Sequence, residues 1–251
     1  MGFKSAYQRI DWANEQIDDL KRESVKFLAA QRYERVSKLD VDGRHTIDKL
    51  RLGGPLPDSL TRFTVQAIEN LRSALDHATC AVVVGSAGKK GTHFPFGDTK
   101  REFDKAVRTR CKHVPDEIKA LFRSFKPYKR GNPPIWALNK ICNTHKHRTI
   151  IEPTRTIRKF TIMDVPFELW LQLSRPARPA WNRRKNEIVI SRAPGEGTVH
   201  NDVEFFVGIA FGKVPIFVGA PALATLRYLT REVNSIVMAI EAEARRIGIA
   251  R

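Results

Sequence analysis

Apolar positions recur at three-, four- and five-residue steps from Ser5 to about Arg32, where Ile10, Ala13, Ile17, Leu20, Val25 and Leu28 stand among polar residues. That period predicts a long amphipathic helix. Residues 33 to 52 change character. Tyr33, Val36, Leu39 and Val41 precede Asp42-Gly43, and Thr46, Ile47, Leu50 and Leu52 follow it, which is the pattern of a β-hairpin. Gly53-Gly54-Pro55 ends the second run, and Pro57-Asp58-Ser59 offers the start of a second helix running to about Val84. Its core face is written by Ile68, Leu71, Leu75, Ala78 and Val82 in alternating steps of three and four.

Gly85 to Gly91 is a loop of small and basic residues, and His93-Phe94-Pro95-Phe96 anchors the connection that follows. Two shorter helices are expected over Arg101 to Lys112 and Pro115 to Phe125, and a fifth from Pro134 to about His147 after a turn-rich link beginning at Lys126-Pro127-Tyr128. After Arg148 the period moves towards two. Thr149 to Ile151, Arg158 to Met163, Glu168 to Leu173, Glu187 to Ile190 and Val203 to Phe211 are strand candidates, with Ser174 to Arg184 read as an exposed loop. Ala220 to Ile247 then returns to a helical period, with Leu223, Leu226, Leu229, Val233, Ile236, Ile240 and Ala244 on one side. The expected fold is α+β: a predominantly helical bundle with a small antiparallel sheet inserted before a long C-terminal helix. Residues 1–251 form a single domain in this reading, with 1–148 mainly helical apart from the hairpin near 33–52, a strand-rich insertion over 149–213, and the C-terminal helix over 220–247.

Charge adds a partner to this picture. The chain of 251 residues carries 44 Lys and Arg against 27 Asp and Glu, a net charge of +17. From Lys100 to Lys159 there are 17 basic and 5 acidic residues, so the middle of the chain holds most of the excess. Such a block repels itself unless a polyanion offsets it, and nucleic acid is the commonest polyanion, ahead of an anionic membrane. Three cysteines, Cys80, Cys111 and Cys142, are widely spaced and never in a C-x-x-C pair, which argues against a disulfide framework and a zinc knuckle. The first twenty residues hold charges every few positions and no apolar core of a signal peptide, and no window approaches a membrane span. A cytoplasmic protein with no membrane partner is expected.

Two groups of residues carry candidate chemistry. Glu69-Asn70-Leu71-Arg72-Ser73-Ala74-Leu75-Asp76-His77 places an Arg, able to grip phosphate with a planar fork of donors, near a His able to exchange protons close to neutrality. On an α-helix these two side chains lie about 140° apart, and Arg72 is also four residues from Asp76, the spacing of an ordinary helical ion pair. The second group, Asn139 to Arg148, sets Asn139, Asn143 and His147 on one stripe and Lys140, Thr144 and Arg148 on the next. Basic residues in a last turn complement the helix dipole, but that does not call for two asparagines and two histidines. Tyr128 and Trp181, with polar neighbours, are candidates for stacking on bases. A metal site is disfavoured: His145 and His147 point to opposite sides of a helix, and neither H-E-x-x-H nor Glu-x-x-His pairs occur. No phosphate loop, nucleophile elbow or dinucleotide fingerprint is present, so no cofactor is expected.

Arg72-Ser73-Ala74-Leu75-Asp76-His77 resembles the Arg-x4-6-His motif of the HEPN superfamily of helical-bundle ribonucleases. The pair of blocks Asn70 to His77 and Asn143 to Arg148, the latter an N-x-x-K-H-R run, also resembles an uncharacterised bacterial family. The HEPN resemblance implies a homodimer in which Arg72 holds the scissile phosphate of single-stranded RNA and His77 transfers a proton, without metal. Asn70, Asn143, Lys146, His147, Arg148, Tyr128 and Trp181 would then bind phosphate or RNA. It further implies a toxin or defence role and an antitoxin partner. Two other readings of the same residues stay open. One is a nonenzymatic nucleic-acid binding or sensing protein. In the other, Arg72, Asp76, Asn143 and His147 form a buried structural network between two helices.

Overall fold

The computed structural model describes residues 2–30, 33–52, 57–84, 90–147, 153–162, 181–182, 187–194, 203–211, 216–217 and 220–250. Among these residues the fold is α+β, with six helices and two sheets. The helices are α1 (Lys4–Ala30), α2 (Asp58–Ala81), α3 (Lys100–Arg110), α4 (Asp116–Phe125), α5 (Pro133–His147) and α6 (Ala222–Arg246). The strands are β1 (Tyr33–Leu39), β2 (His45–Leu52), β3 (Pro153–Ile162), β4 (Trp181–Asn182), β5 (Glu187–Pro194) and β6 (Val203–Phe211). The chain divides into two compact units, one of Met1–Lys21, Asp58–Pro153 and Phe211–Arg251, the other of Arg22–Pro57 and Thr154–Ala210. No helix of the described residues is long and apolar enough to cross a membrane.

The first unit is helical, and α2 is its hub. Leu60, Ile68, Leu71, Leu75 and Ala78 are fully buried along one face of α2, which packs against α5 and α6. Two threonines also sit in that face, and each avoids an unpaired hydroxyl by donating to the carbonyl one turn back, Thr64 to Leu60 and Thr79 to Leu75. Leu226, Leu229, Val233, Ile236 and Ile240 supply the matching stripe of α6, as their spacing predicts, whereas Leu223 at its start is only half-buried. From α1, Ala6, Ile10, Ala13, Ile17 and Leu20 are buried, and Tyr7 donates to Glu241 of α6 at 2.5 Å. Burial and this carboxylate push the Tyr7 hydroxyl up to about 12. In the stretch of α1 from Arg22 onward, which belongs to the second unit, the expected stripe fails at Val25, which is 60% exposed. A step of five residues from Leu20 overshoots the helical period, so Ser24 and Phe27 are buried in its place.

The link from α2 to α3 is tied down along its length. Phe94 is fully buried and meets Phe96 at 5.0 Å and Phe122 of α4 at 5.3 Å between ring centroids. Gly97 has no room for a side chain, since a β-carbon there would lie 2.3 Å from the backbone nitrogen of Phe103. That close approach brings the link directly onto α3. Thr99 then starts α3 with a reciprocal cap, its side chain accepting from the Glu102 N–H while the Glu102 carboxylate accepts from that of Thr99.

The second unit holds a four-stranded sheet in the order β1-β2-β5-β4, antiparallel at each pairing. The expected hairpin is present, with Tyr33 opposite Leu52 and Leu39 opposite Thr46. Its turn is longer than a two-residue Asp-Gly corner. The Asp40 N–H donates to the His45 carbonyl, the Gly43 N–H to the Asp40 carbonyl, and Gly43 takes the left-handed angle, φ 64°. The hairpin and the strand-rich insertion, read from sequence as separate segments, share one sheet. β2 pairs along its length with β5 from the strand-rich region, and Arg51 and Lys49 both reach Glu187. Trp181, read from sequence as part of an exposed loop, is instead in β4, paired with Ile188. β3 and β6 form a separate two-stranded sheet. The strand candidates Thr149 to Ile151 and Glu168 to Leu173 lie outside the described residues.

Candidate functional site

Arg72 and His77 leave α2 in different directions, as their spacing requires, and meet different surroundings. The side chain of Arg72 is 15% exposed and turned towards α5. Its Nε donates to Asn139 Oδ1 at 2.9 Å, and its guanidinium carbon stands 4.5 Å from the centre of the Phe96 ring. Nη1 lies 2.5 Å from Asp76 Oδ2. The angle is poor for a hydrogen bond, so this contact is an ion pair, and Nη1 has no aligned acceptor among the described residues.

Asp76 extends the cluster to the link. Its Oδ1 accepts the Phe94 backbone N–H at 2.8 Å, and His93 Nδ1 stands 3.6 Å from Oδ2. Two thiols hold the same stretch, Cys80 donating to the Thr92 carbonyl at 3.4 Å and Cys111 to that of His93 at 3.6 Å. Burial pushes the Cys111 thiol up to about 12, which makes it a structural donor and a poor nucleophile. At the far end of the link, Asp98 accepts from Lys140 Nζ at 2.9 Å and Trp136 Nε1 at 2.8 Å, and these two bonds, Lys140 first, hold its carboxyl below the usual range. Together the Arg72 and Asp98 clusters fasten the link to α2 and α5.

His77 faces an open cleft of about 560 Å³, which Ser5, Ser73, Asp76, Cys80 and His93 also line and Arg72 does not. Among the described residues the imidazole has no hydrogen-bond partner. Partial burial, and then the positive charge of Arg9, lower its pKa from the ordinary 6.5, with Asp76 acting in the opposite sense. Both lowering effects favour the neutral form of the ring over the charged one. A neutral imidazole in an open cleft has the properties of a general base. Arg72, held by Asn139 and Asp76, does not line this cleft.

The remaining candidates divide. Asn70 accepts from Arg9 Nη1 at 3.1 Å and so ties α2 to α1. Tyr128 is half-buried with its ring 5.8 Å from Phe103, so one face is committed to packing. Asn143 is exposed on α5. Lys146 and His147 end the α5 backbone, their side chains lying outside the described residues together with Arg148. Trp181 belongs to the other compact unit. Asn139, grouped by its spacing with Asn143 and His147, and Phe96, placed in the link, prove to be partners of Arg72, while Arg9, which the sequence did not single out, adds its charge to the field at His77. Asn139 had a visible signal, the four-residue step to Asn143, whereas Arg9 and Phe96 join the group only through tertiary packing. Among the described residues no three His, Cys, Asp or Glu side chains gather as a metal site.

Two outcomes are expected. Asp76→Ala leaves the Phe94 N–H and the Arg72 cation without their acceptor and should destabilise the protein by about 2 kcal/mol, lowering its Tm by about 4–8 °C in a thermal melt; an unchanged Tm would show that the cluster holds nothing. For His77, a depressed folded-state pKa means that its contribution to stability is complete above the unfolded value of 6.5 and is lost as pH falls through the folded value. An NMR titration should therefore place its midpoint below 6.5, and Arg9→Gln should raise it by removing like charge; a midpoint indifferent to Arg9 would contradict the assigned cause. No family model, curated protein or solved structure matches this chain.

Proposed function

We propose that this protein binds RNA as a nonenzymatic binding or sensing module, through cations on its helical unit. The observation that carries the proposal is the state of the basic block. Lys100, Lys119 and Lys140 have carboxylate partners, but Arg110, Lys112, Lys126, Lys129 and Arg130 are exposed and have none among the described residues. Intramolecular ion pairs therefore leave much of the block uncompensated, and a polyanion offsets such charge at the gain of released counterions. Arg72 supports the binding reading over a catalytic one, because its guanidinium is engaged with Asn139, Asp76 and Phe96.

A second reading keeps the metal-independent ribonuclease of HEPN type, working as a homodimer with a toxin or defence role. The specific feature in its favour is His77, which faces an open cleft and whose pKa is lowered by partial burial and by the charge of Arg9. In that reading His77 accepts a proton from the 2′-hydroxyl, and a cation other than Arg72, or Arg72 released from its cluster, faces the phosphate.

Incubation of wild type and His77→Ala with single-stranded RNA in EDTA separates the readings. The binding reading expects intact RNA shifted equally by both proteins, with log affinity falling linearly in log salt. Cyclic phosphate ends produced by wild type alone would establish the ribonuclease, and no shift at low salt with no cleavage would overturn both.

A further inference from the structure

Helix α3 presents its charge as a line. Arg101, Lys105 and Arg108 are exposed, while Phe103, Ala106 and Val107 on the other side are buried. At 100° and 1.5 Å per residue the three cations fall within an arc of about 60° and rise by about 6 and 4.5 Å. The carboxylates of α3 do not offset them. Glu102 is committed to the cap with Thr99, and Asp104 stands 3.2 Å from Lys100 and 4.0 Å from Arg123. Among the described residues Arg101, Lys105 and Arg108 have no carboxylate partner.

The helix dipole accounts for only part of this row. Arg108 and Arg110, in the last turn, sit where a cation is favoured. Arg101 is at the second helical position, where the dipole disfavours positive charge, so the dipole does not account for its place. A small anion would need donors that converge, whereas these are strung along a rod. A lipid surface would need apolar anchors beside the charge, and no large hydrophobic side chain of α3 is exposed. The cap of Thr99 and the tight seat of Gly97 against Phe103 fix the rod before any partner arrives.

We propose that the Arg101-Lys105-Arg108 stripe of α3 is a track for the phosphodiester backbone of single-stranded RNA, each cation meeting a phosphate. This rests on the RNA-binding reading and locates it. No aromatic side chain lies on the stripe, so the track reads charge and spacing and is indifferent to base sequence.

The test compares Arg101→Gln/Lys105→Gln/Arg108→Gln with a triple variant of equal charge change on α6, Arg227→Gln/Arg231→Gln/Arg245→Gln, all six side chains being exposed. Binding of labelled single-stranded RNA is measured from about 50 to 200 mM salt, with circular dichroism to establish folding. The stripe variant should lose at least about tenfold in affinity and about 2 units of log–log salt slope, at roughly 0.7 per phosphate contact, while the α6 variant keeps the wild-type slope. Lys105→Gln/Arg108→Gln, away from the cap, should lose about two thirds as much slope and serves if the triple variant is unstable. Equal losses in both triple variants, or none in the stripe variant, would overturn the track while leaving RNA binding in place. A wild type that fails to bind RNA at low salt would overturn RNA binding itself, and the track with it.

Discussion

The carboxylate of Asp76 joins three stretches of chain that are distant in sequence. One oxygen accepts the Phe94 N–H, and the other faces Arg72, whose Nε reaches across to Asn139. A partly buried Arg left without its acid would be an uncompensated charge beside an aromatic ring, and a buried amide without an acceptor would lose its hydrogen bond. The acid, the base and the amide therefore make one another tolerable in the interior. Because Phe94 and Phe96 sit on the same link, the polar cluster also sets where the aromatic side chains pack. The position of α3 follows from it, through Gly97 and the Thr99 cap.

Polar contacts thus divide the helical unit into a fastened region and an open one. Arg72, Asp98, Trp136 and Lys140 are held in pairs and take up several of the groups that could otherwise meet a ligand. His77, one residue beyond Asp76, shares the cleft with it but is not drawn into the ion pair with Arg72. The exposed cations of α3 are likewise outside the clusters. Residues next to one another in sequence therefore serve stability and accessibility separately, which a motif read along the chain does not distinguish.

What was legible in the sequence was local. Ile68, Leu71, Leu75 and Ala78 of α2 and Leu226, Val233 and Ile240 of α6 announce their burial by period, because a helix repeats its face every three or four residues whatever surrounds it. Val25 was misread because a single five-residue step departs from that period. The Asp42-Gly43 turn was legible for the same local reason, but the joining of β2 to β5 was not, since Glu187 is 136 residues from Arg51. In the site, the four-residue spacing of Arg72 and Asp76 made their pairing readable. Asn139 and Phe96 complete it from other elements, and nothing in the spacing of α2 indicates them. Trp181 became a strand residue because β5 lies beside it, although its prolines and arginines nearby read as a loop.

Arg72 is engaged with Asn139, Asp76 and Phe96, and on the proposed reading it supports the fold and does not grip a phosphate. Arg72→Gln tests this most directly when stability and RNA affinity are measured on the same preparation, with affinity corrected for the folded fraction. The expected result is a lower unfolding midpoint with the wild-type affinity and salt slope retained. Wild-type stability with RNA binding or cleavage lost would return Arg72 to the role of a phosphate-gripping residue.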